Sequence, residues 1–252
     1  MNGITDYLGA RMCWGSASSA RRCLAAVLAG CLVLALFAGQ ASGSLILELG
    51  YSATFSDDSV PPAQDPPWLR ATFAEDSGGA VLLTLEAVGL TIPEYVQAWY
   101  FNFDPTLDVE ALTISYLSGV QPSDIKQQEN AFNADGDGYF DILFDFPNAN
   151  NGRFGANDVS VFRITPSTNA GYSISPWSFA FESQDGNHDP NYQRDWGPYV
   201  SAAKIGGTGE DGEDSAWVHA HIIPEPASLV IWSLMGAGGL ALAWRRRRKA
   251  GG

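Results

Sequence analysis

Cysteine is confined to Cys13, Cys23 and Cys31, and none occurs between Ser44 and Ile223. That stretch therefore folds without disulfides and offers neither a thiol nucleophile nor a thiolate metal ligand. Basic residues are nearly as scarce there. Arg70, Lys126, Arg153, Arg163, Arg194 and Lys204 stand against 26 acidic residues, a net of −20 that the whole-chain figure of −14 conceals because both termini are basic. A surface of that charge repels nucleic acid and anionic polymers unless divalent cations intervene. No G-x-S-x-G elbow, H-E-x-x-H pair or phosphate-binding glycine loop occurs, so the familiar hydrolase, metalloprotease and nucleotide motifs are missing. With 26 carboxylates, a glycosidase-like pair arises somewhere by chance and carries no weight. The expectation is a non-catalytic protein.

Long apolar runs occur only at the two ends. Arg11, Arg21 and Arg22 precede the run Cys23 to Gly39, and small residues follow at Gly39, Ala41 and Gly43. This is the pattern of a secretory signal peptide, with residues 1–43 as a leader for the Sec translocon, cleaved after Ala41 or Gly43. Translation from Met12 would give a shorter leader, and lipidation at Cys31 is disfavoured by the apolar run Leu32 to Phe37 after it. At the other end Pro224-Glu225-Pro226 is followed by the apolar run Ala227 to Trp244 and by Arg245 to Lys249. As a helix that run spans about 27 Å, enough to cross a membrane, and the basic cluster stays cytoplasmic.

The tract Ile223-Pro224-Glu225-Pro226-Ala227-Ser228-Leu229, with the apolar run and basic tail behind it, resembles the PEP-CTERM sorting signal of bacterial exported proteins, also known under an ice-binding C-terminal name that implies no antifreeze activity. The resemblance covers residues 224–249 and implies processing by exosortase, with Glu225 read between two prolines that hold the backbone extended. It further implies a membrane-inserted intermediate, then release or transfer to the cell envelope, cell surface or a matrix rich in exopolysaccharide. An ordinary membrane anchor has the same topology but no reason to carry Pro-Glu-Pro at its boundary.

Between the ends, residues 44–223 form the ectodomain, and its apolar residues recur with period two. Val81, Leu83, Leu85 and Ala87 share one side of an extended run. Trp99, Phe101 and Phe103 share another, and Phe140, Ile142, Phe144 and Phe146 a third, with Asp141 and Asp145 expected to point outward. Further strands are expected over Leu45 to Phe55, Trp68 to Ala74, Leu112 to Ser118, Val159 to Thr165, Trp177 to Phe181, Val200 to Ile205 and Trp217 to Ile222. A short helix is expected over Ser123 to Ala131. Val60 to Pro67 and Gly206 to Asp214 read as loosely ordered loops. The fold class is all-β, an antiparallel β-sandwich of jelly-roll or immunoglobulin-like type, flanked by an N-terminal signal helix and a single C-terminal transmembrane helix.

One stretch carries sharper chemistry. Asn133, Asp135, Asp137 and Asp141 place oxygen side chains at positions 1, 3, 5 and 9 of a run with Gly138 at position 6. Calcium requires several oxygens on one tight loop, and the Tyr139 carbonyl at position 7 completes the candidate set. Position 12 is Phe144 in place of the glutamate of an EF-hand, and the following residues alternate as a strand. The spacing resembles the calcium loops of β-propeller FG-GAP repeats, although one copy excludes a propeller. An Asn/Asp/Gly-rich hairpin turn that caps its own backbone is the alternative. Asp185, Asn187 and Asp189 repeat the spacing, but Pro190 stands where the glycine belongs. His219 and His221 share a strand face and read as surface residues without a third ligand. Trp68, Trp177 and Trp196 lie near expected loops, where they would stack on sugar rings, whereas Trp99 and Trp217 read as packing residues.

From Ala71 to Trp217 the chain is also similar to an uncharacterised ectodomain of PEP-CTERM proteins, through Leu82–Ala87, Trp99–Asn102, Phe132–Gly138 and Gly197–Ala203. That similarity implies no reaction. The function expected is a calcium-stabilised structural or adhesive surface protein. A carbohydrate-binding module of the exopolysaccharide matrix, or less favourably a glycan-active enzyme, is the alternative.

Overall fold

A computed structural model describes residues 43–51, 60–134, 138–184 and 198–223, together with Met235, Gly238 and Gly239; at 51 and 221–223 it describes the backbone alone. Residues 1–42 of the leader and all but three residues of the sorting segment lie outside the described residues. No described helix is long and apolar enough to cross a membrane.

The described ectodomain is all-β and antiparallel. Its strands are β1 (Leu45–Tyr51), β2 (Leu69–Asp76), β3 (Ala80–Glu86), β4 (Tyr95–Phe101), β5 (Leu112–Ser118), β6 (Asp124–Asn133), β7 (Tyr139–Asp145), β8 (Phe154–Gly155), β9 (Val159–Pro166), β10 (Ser201–Thr208) and β11 (Asp214–Ile223). They form one sheet in the order β5-β9-β3-β2-β1-β11-β10-β4-β7-β6, with β8 added beside β4. The sheet curls so that its halves face each other. Phe73 of β2 meets Phe101 of β4 edge-on at 5.4 Å, and Phe144 of β7 meets Phe162 of β9 at 4.8 Å, although many strands separate them along the sheet. Gln127 nearly closes the ring: its side-chain amide donates to the carbonyls of Val109 (3.0 Å) and Leu112 (3.1 Å), tying edge strand β6 to the start of β5.

The alternation expected from the sequence fills this core. Val81, Leu83, Leu85, Trp99, Phe101, Phe103, Ile142, Phe144 and Phe146 are all buried. A smaller cluster, Tyr100, Phe140, Tyr199, Ala134 and Ala202, forms apart from it.

Four expectations are corrected. Ser123 to Ala131 is not helical but lies largely in β6, whose burial alternates with period two and whose residues Asp124 to Gln127 pair with β7. An edge strand with few apolar residues gains its backbone partners only from the assembled sheet, which local propensity does not register. Trp177 to Phe181 is not a strand. Pro176–Phe179 form a 3-10 turn, in which the Ser178 hydroxyl accepts from Ser175 N (3.1 Å) and Phe179 stacks on Phe73 at 4.5 Å, plugging one end of the core. The loop expected over Gly206 to Asp214 shrinks to residues 209–213, because β10 runs to Thr208 and β11 begins at Asp214. Asp141 does not point outward, for the reason given next.

Candidate functional site

The β6–β7 hairpin carries the oxygen-rich loop. Asn133 and Tyr139 pair directly across its mouth, and Ala134 N donates to the Gly138 carbonyl at 3.3 Å. Gly138 has φ 116, and a Cβ there would lie 2.4 Å from Ser183 Oγ and 2.7 Å from the Gln184 carbonyl. Only glycine fits both the backbone and the space. The neighbouring segment is bound tightly: Tyr139 N donates to Gln184 O (2.9 Å) and Gln184 N to Tyr139 O (3.1 Å). The carbonyl expected to ligate calcium thus already accepts a backbone hydrogen bond.

Below the mouth the pairing slips. Gln127 faces Ile142 and Phe132 faces Phe140, so residues 128–131 of β6 bulge opposite Asp141 alone. A bulge breaks the alternation and re-aims side chains. Asp141 is consequently only 7% exposed. Its Oδ1 accepts from Asn130 N (2.7 Å), whose φ is 48, and its Oδ2 from Phe103 N (2.8 Å). The carboxylate clamps the bulge to the loop that follows β4. Burial pushes its pKa above the ordinary 3.8, the two backbone donors pull it partly back, and the nearby Glu129 charge adds to the rise. A cleft of about 260 Å³ opens beside it, with Glu129 and Glu182 also in its wall.

Asn133, Tyr139 and Asp141 are therefore brought to one hairpin, while Asp135 and Asp137 lie outside the described residues. Among the described residues no three His, Cys, Asp or Glu side chains gather closely enough to hold a metal ion. Asp185, Asn187, Asp189, Trp196, Pro224, Glu225 and Pro226 also lie outside them.

The expected sugar-stacking residues separate. Trp68 is buried in the core at 5% exposure, with Nε1 donating to Gln64 O at 2.6 Å, so its ring faces protein. Trp177 is 49% exposed on the 3-10 turn. Trp99 and Trp217 do pack as expected, Trp99 fully buried and Trp217 against Tyr100 at 5.6 Å. His219 is not a surface residue: it is buried and stacks on Tyr199 at 4.0 Å.

Two groups escaped the sequence reading. Glu94 is buried, and its carboxylate accepts from Ala63 N (2.6 Å), Thr91 N (2.7 Å) and Thr91 Oγ1 (3.1 Å). Thr91-Ile92-Pro93-Glu94 has the T-x-x-E spacing of a capping box, the signal that marks it. Arg153 stacks over the Tyr95 ring at 3.8 Å, beside a second cleft; nothing in its neighbours along the chain signals this.

No curated protein and no solved structure matches the chain. The family model described as the PEP-CTERM protein-sorting motif matches residues 223–248, the segment that carries Pro224, Glu225 and Pro226. A sorting motif at this position implies exosortase processing, export and a place at the cell envelope or surface, and on that motif the chain is a PEP-CTERM sorting domain-containing protein.

Proposed function

We propose that the ectodomain is a non-catalytic structural or adhesive part of the cell surface or extracellular matrix, stabilised by calcium at the β6–β7 turn. The observation that carries the calcium reading is the hairpin mouth, where Asn133 and Tyr139 stand opposite each other and Gly138 makes the sharp turn. A hard cation requires several oxygens on one tight loop, and the spacing of the motif across that mouth is what supports the reading. Asp141 and the Tyr139 carbonyl already accept backbone donors, so within the proposed ligand set of Asn133, Asp135, Asp137, Tyr139 and Asp141 the last chiefly holds the loop base. Affinity in the extracellular range of about 10⁻⁴ to 10⁻³ M follows, since no bidentate glutamate completes the shell. The nested pairs β1–β11, β4–β10 and β4–β7 around the β6–β7 hairpin favour a jelly-roll order of strands over an immunoglobulin-like one. In a matrix of acidic glycans, calcium would bridge an ectodomain of net −20 to the polymer.

Glycan binding through aromatic stacking is the second reading, and the half-exposed ring of Trp177 favours it. Calorimetric titration of the full chain in detergent separates the two. Saturable calcium binding that Asp135→Ala/Asp137→Ala abolishes, with a calcium-dependent rise in melting temperature, supports the first. A flat titration with no thermal shift would reduce the loop to an ordinary turn. A neutral glycan bound in the presence of chelator, and lost in Trp177→Ala, would establish the second.

A further inference from the structure

The cleft beside Arg153 has a different character from the acidic one at Asp141. Its volume is about 290 Å³, near the lower end of small-molecule sites, so it accommodates one sugar ring rather than an extended ligand. Among the described residues Arg70 pairs with Glu48 at 2.6 Å and Arg163 with Asp76 at 2.8 Å, while Arg153 is the one described arginine without a carboxylate partner. The guanidinium is nonetheless held in place, its Cζ over the Tyr95 ring at 3.8 Å and its Nε donating to the Asn148 carbonyl at 2.8 Å. Its two terminal amino groups make no hydrogen bond to the described residues. The one carboxylate in the cleft wall, Glu94, is occupied by Ala63 and Thr91. Ile92, 91% exposed, and Pro93 supply an apolar wall, and the exposed Asn150 a hydroxyl-binding amide.

We infer that this cleft binds a carboxylated sugar, a hexuronate, with Arg153 as the carboxylate receptor. A planar fork already immobilised on a ring loses little further freedom on binding, and carboxylate is the group its geometry matches. The C–H face of a sugar ring suits Ile92 and Pro93, and its hydroxyls suit Asn150. The surrounding acidic field opposes any polyanion, so the contact is local, and added salt strengthens binding of a polyuronate by screening the long-range repulsion.

The test titrates the full chain in detergent with galacturonate, a galacturonate oligomer and neutral galactose, with chelator present throughout so that calcium bridging does not contribute. Saturable binding of galacturonate, at least about tenfold tighter than galactose, is expected, because a charge-assisted fork supplies the difference. Arg153→Lys keeps the charge but removes the fork and should weaken binding about tenfold. Ile92→Asp, at a fully solvated position, should weaken it several-fold with an unchanged melting temperature. An oligomer that binds tighter than the monomer identifies the source as a polymer chain; equal affinities identify a free or terminal uronate. Equal binding of galactose and galacturonate, undiminished affinity in Arg153→Lys, or no saturable binding by the unmodified chain would each overturn the assignment.

Discussion

Glu94 and Asp141 are both buried carboxylates whose oxygens accept backbone N–H groups, yet they were unequally visible. The Glu94 corner is partly local: Thr91 lies three residues away and forms two of its three hydrogen bonds, with Ala63 supplying the third. The Asp141 clamp is wholly non-local, its donors lying 11 and 38 residues off along the chain. Burying a carboxylate is costly unless donors surround it; both sites supply main-chain amides, and at Asp141 these offset the burial only in part. The contrast teaches that an acid inside a metal-like spacing can serve as a backbone clamp, and that an acid outside any metal motif can do the same work.

Substitutions weigh the two clamps against each other. Glu94→Ala strands three donors, and its cost should be about 3 kcal/mol, a fall of about 9 °C in melting midpoint. Asp141→Ala strands two, and about 2 kcal/mol is expected under chelator. Chemical denaturation of both variants checks the ranking; a reversed order would mean that the β6 bulge depends on its clamp more than the Glu94 corner does. Asp141→Asn sharpens the comparison through pH. The folded pKa of Asp141 lies above its unfolded value, so the fold favours the protonated form. The stability this group contributes is full below about 3.9 and is lost as pH rises through the raised value. In chelator, the stability of the unmodified chain relative to Asp141→Asn should therefore decline with rising pH across that window, and an unchanging difference would contradict the burial.

Smaller effects probe the edges. Gln127→Ala removes both hydrogen bonds that tie β6 to the start of β5, and about 1 kcal/mol is expected in the same denaturation series. Tyr172 donates its hydroxyl to the Asp108 carbonyl, and burial, with the Asp108 charge behind it, raises its pKa above 10.0. Its neutral form is the one the fold favours, so this contribution is lost as pH climbs through the raised value. Ultraviolet titration against Tyr172→Phe should show one tyrosine ionising later than the ordinary range.

Much of the fold was legible because period-two burial is written residue by residue. Leu112–Ser118 appears as expected, and β3 and β9 follow the apolar alternation closely, whereas β4 and β7 bury residues on both faces, with Tyr100 and Phe140 in the smaller cluster. The misreadings fall where alternation is weak or interrupted. β6 carries mostly polar residues, and Pro176 with its flanking serines turns a short aromatic stretch into a plug. At the candidate site, the turn at Gly138 was legible from its glycine and acids. The inward swing of Asp141 was not, because it depends on where β6 slips against β7. Trp68 and His219 were misplaced for a related reason: a ring near a sequence loop, or on a strand close to the chain end, is exposed or covered according to what packs over it.

By itself the sequence pointed to export and the cell envelope or surface, since the sorting motif at residues 223–248 is a linear pattern that implies exosortase processing. It also determined the all-β class, the disulfide-free core and the strongly acidic surface, which follow from composition and local period. Only the tertiary structure decided which acids are buried clamps, which tryptophan keeps an open face, and that Arg153 is held on Tyr95 without a carboxylate partner. Those outcomes depend mainly on contacts between segments distant along the chain, which the curled sheet brings together; of them only the Thr91–Glu94 pair carries a local signal.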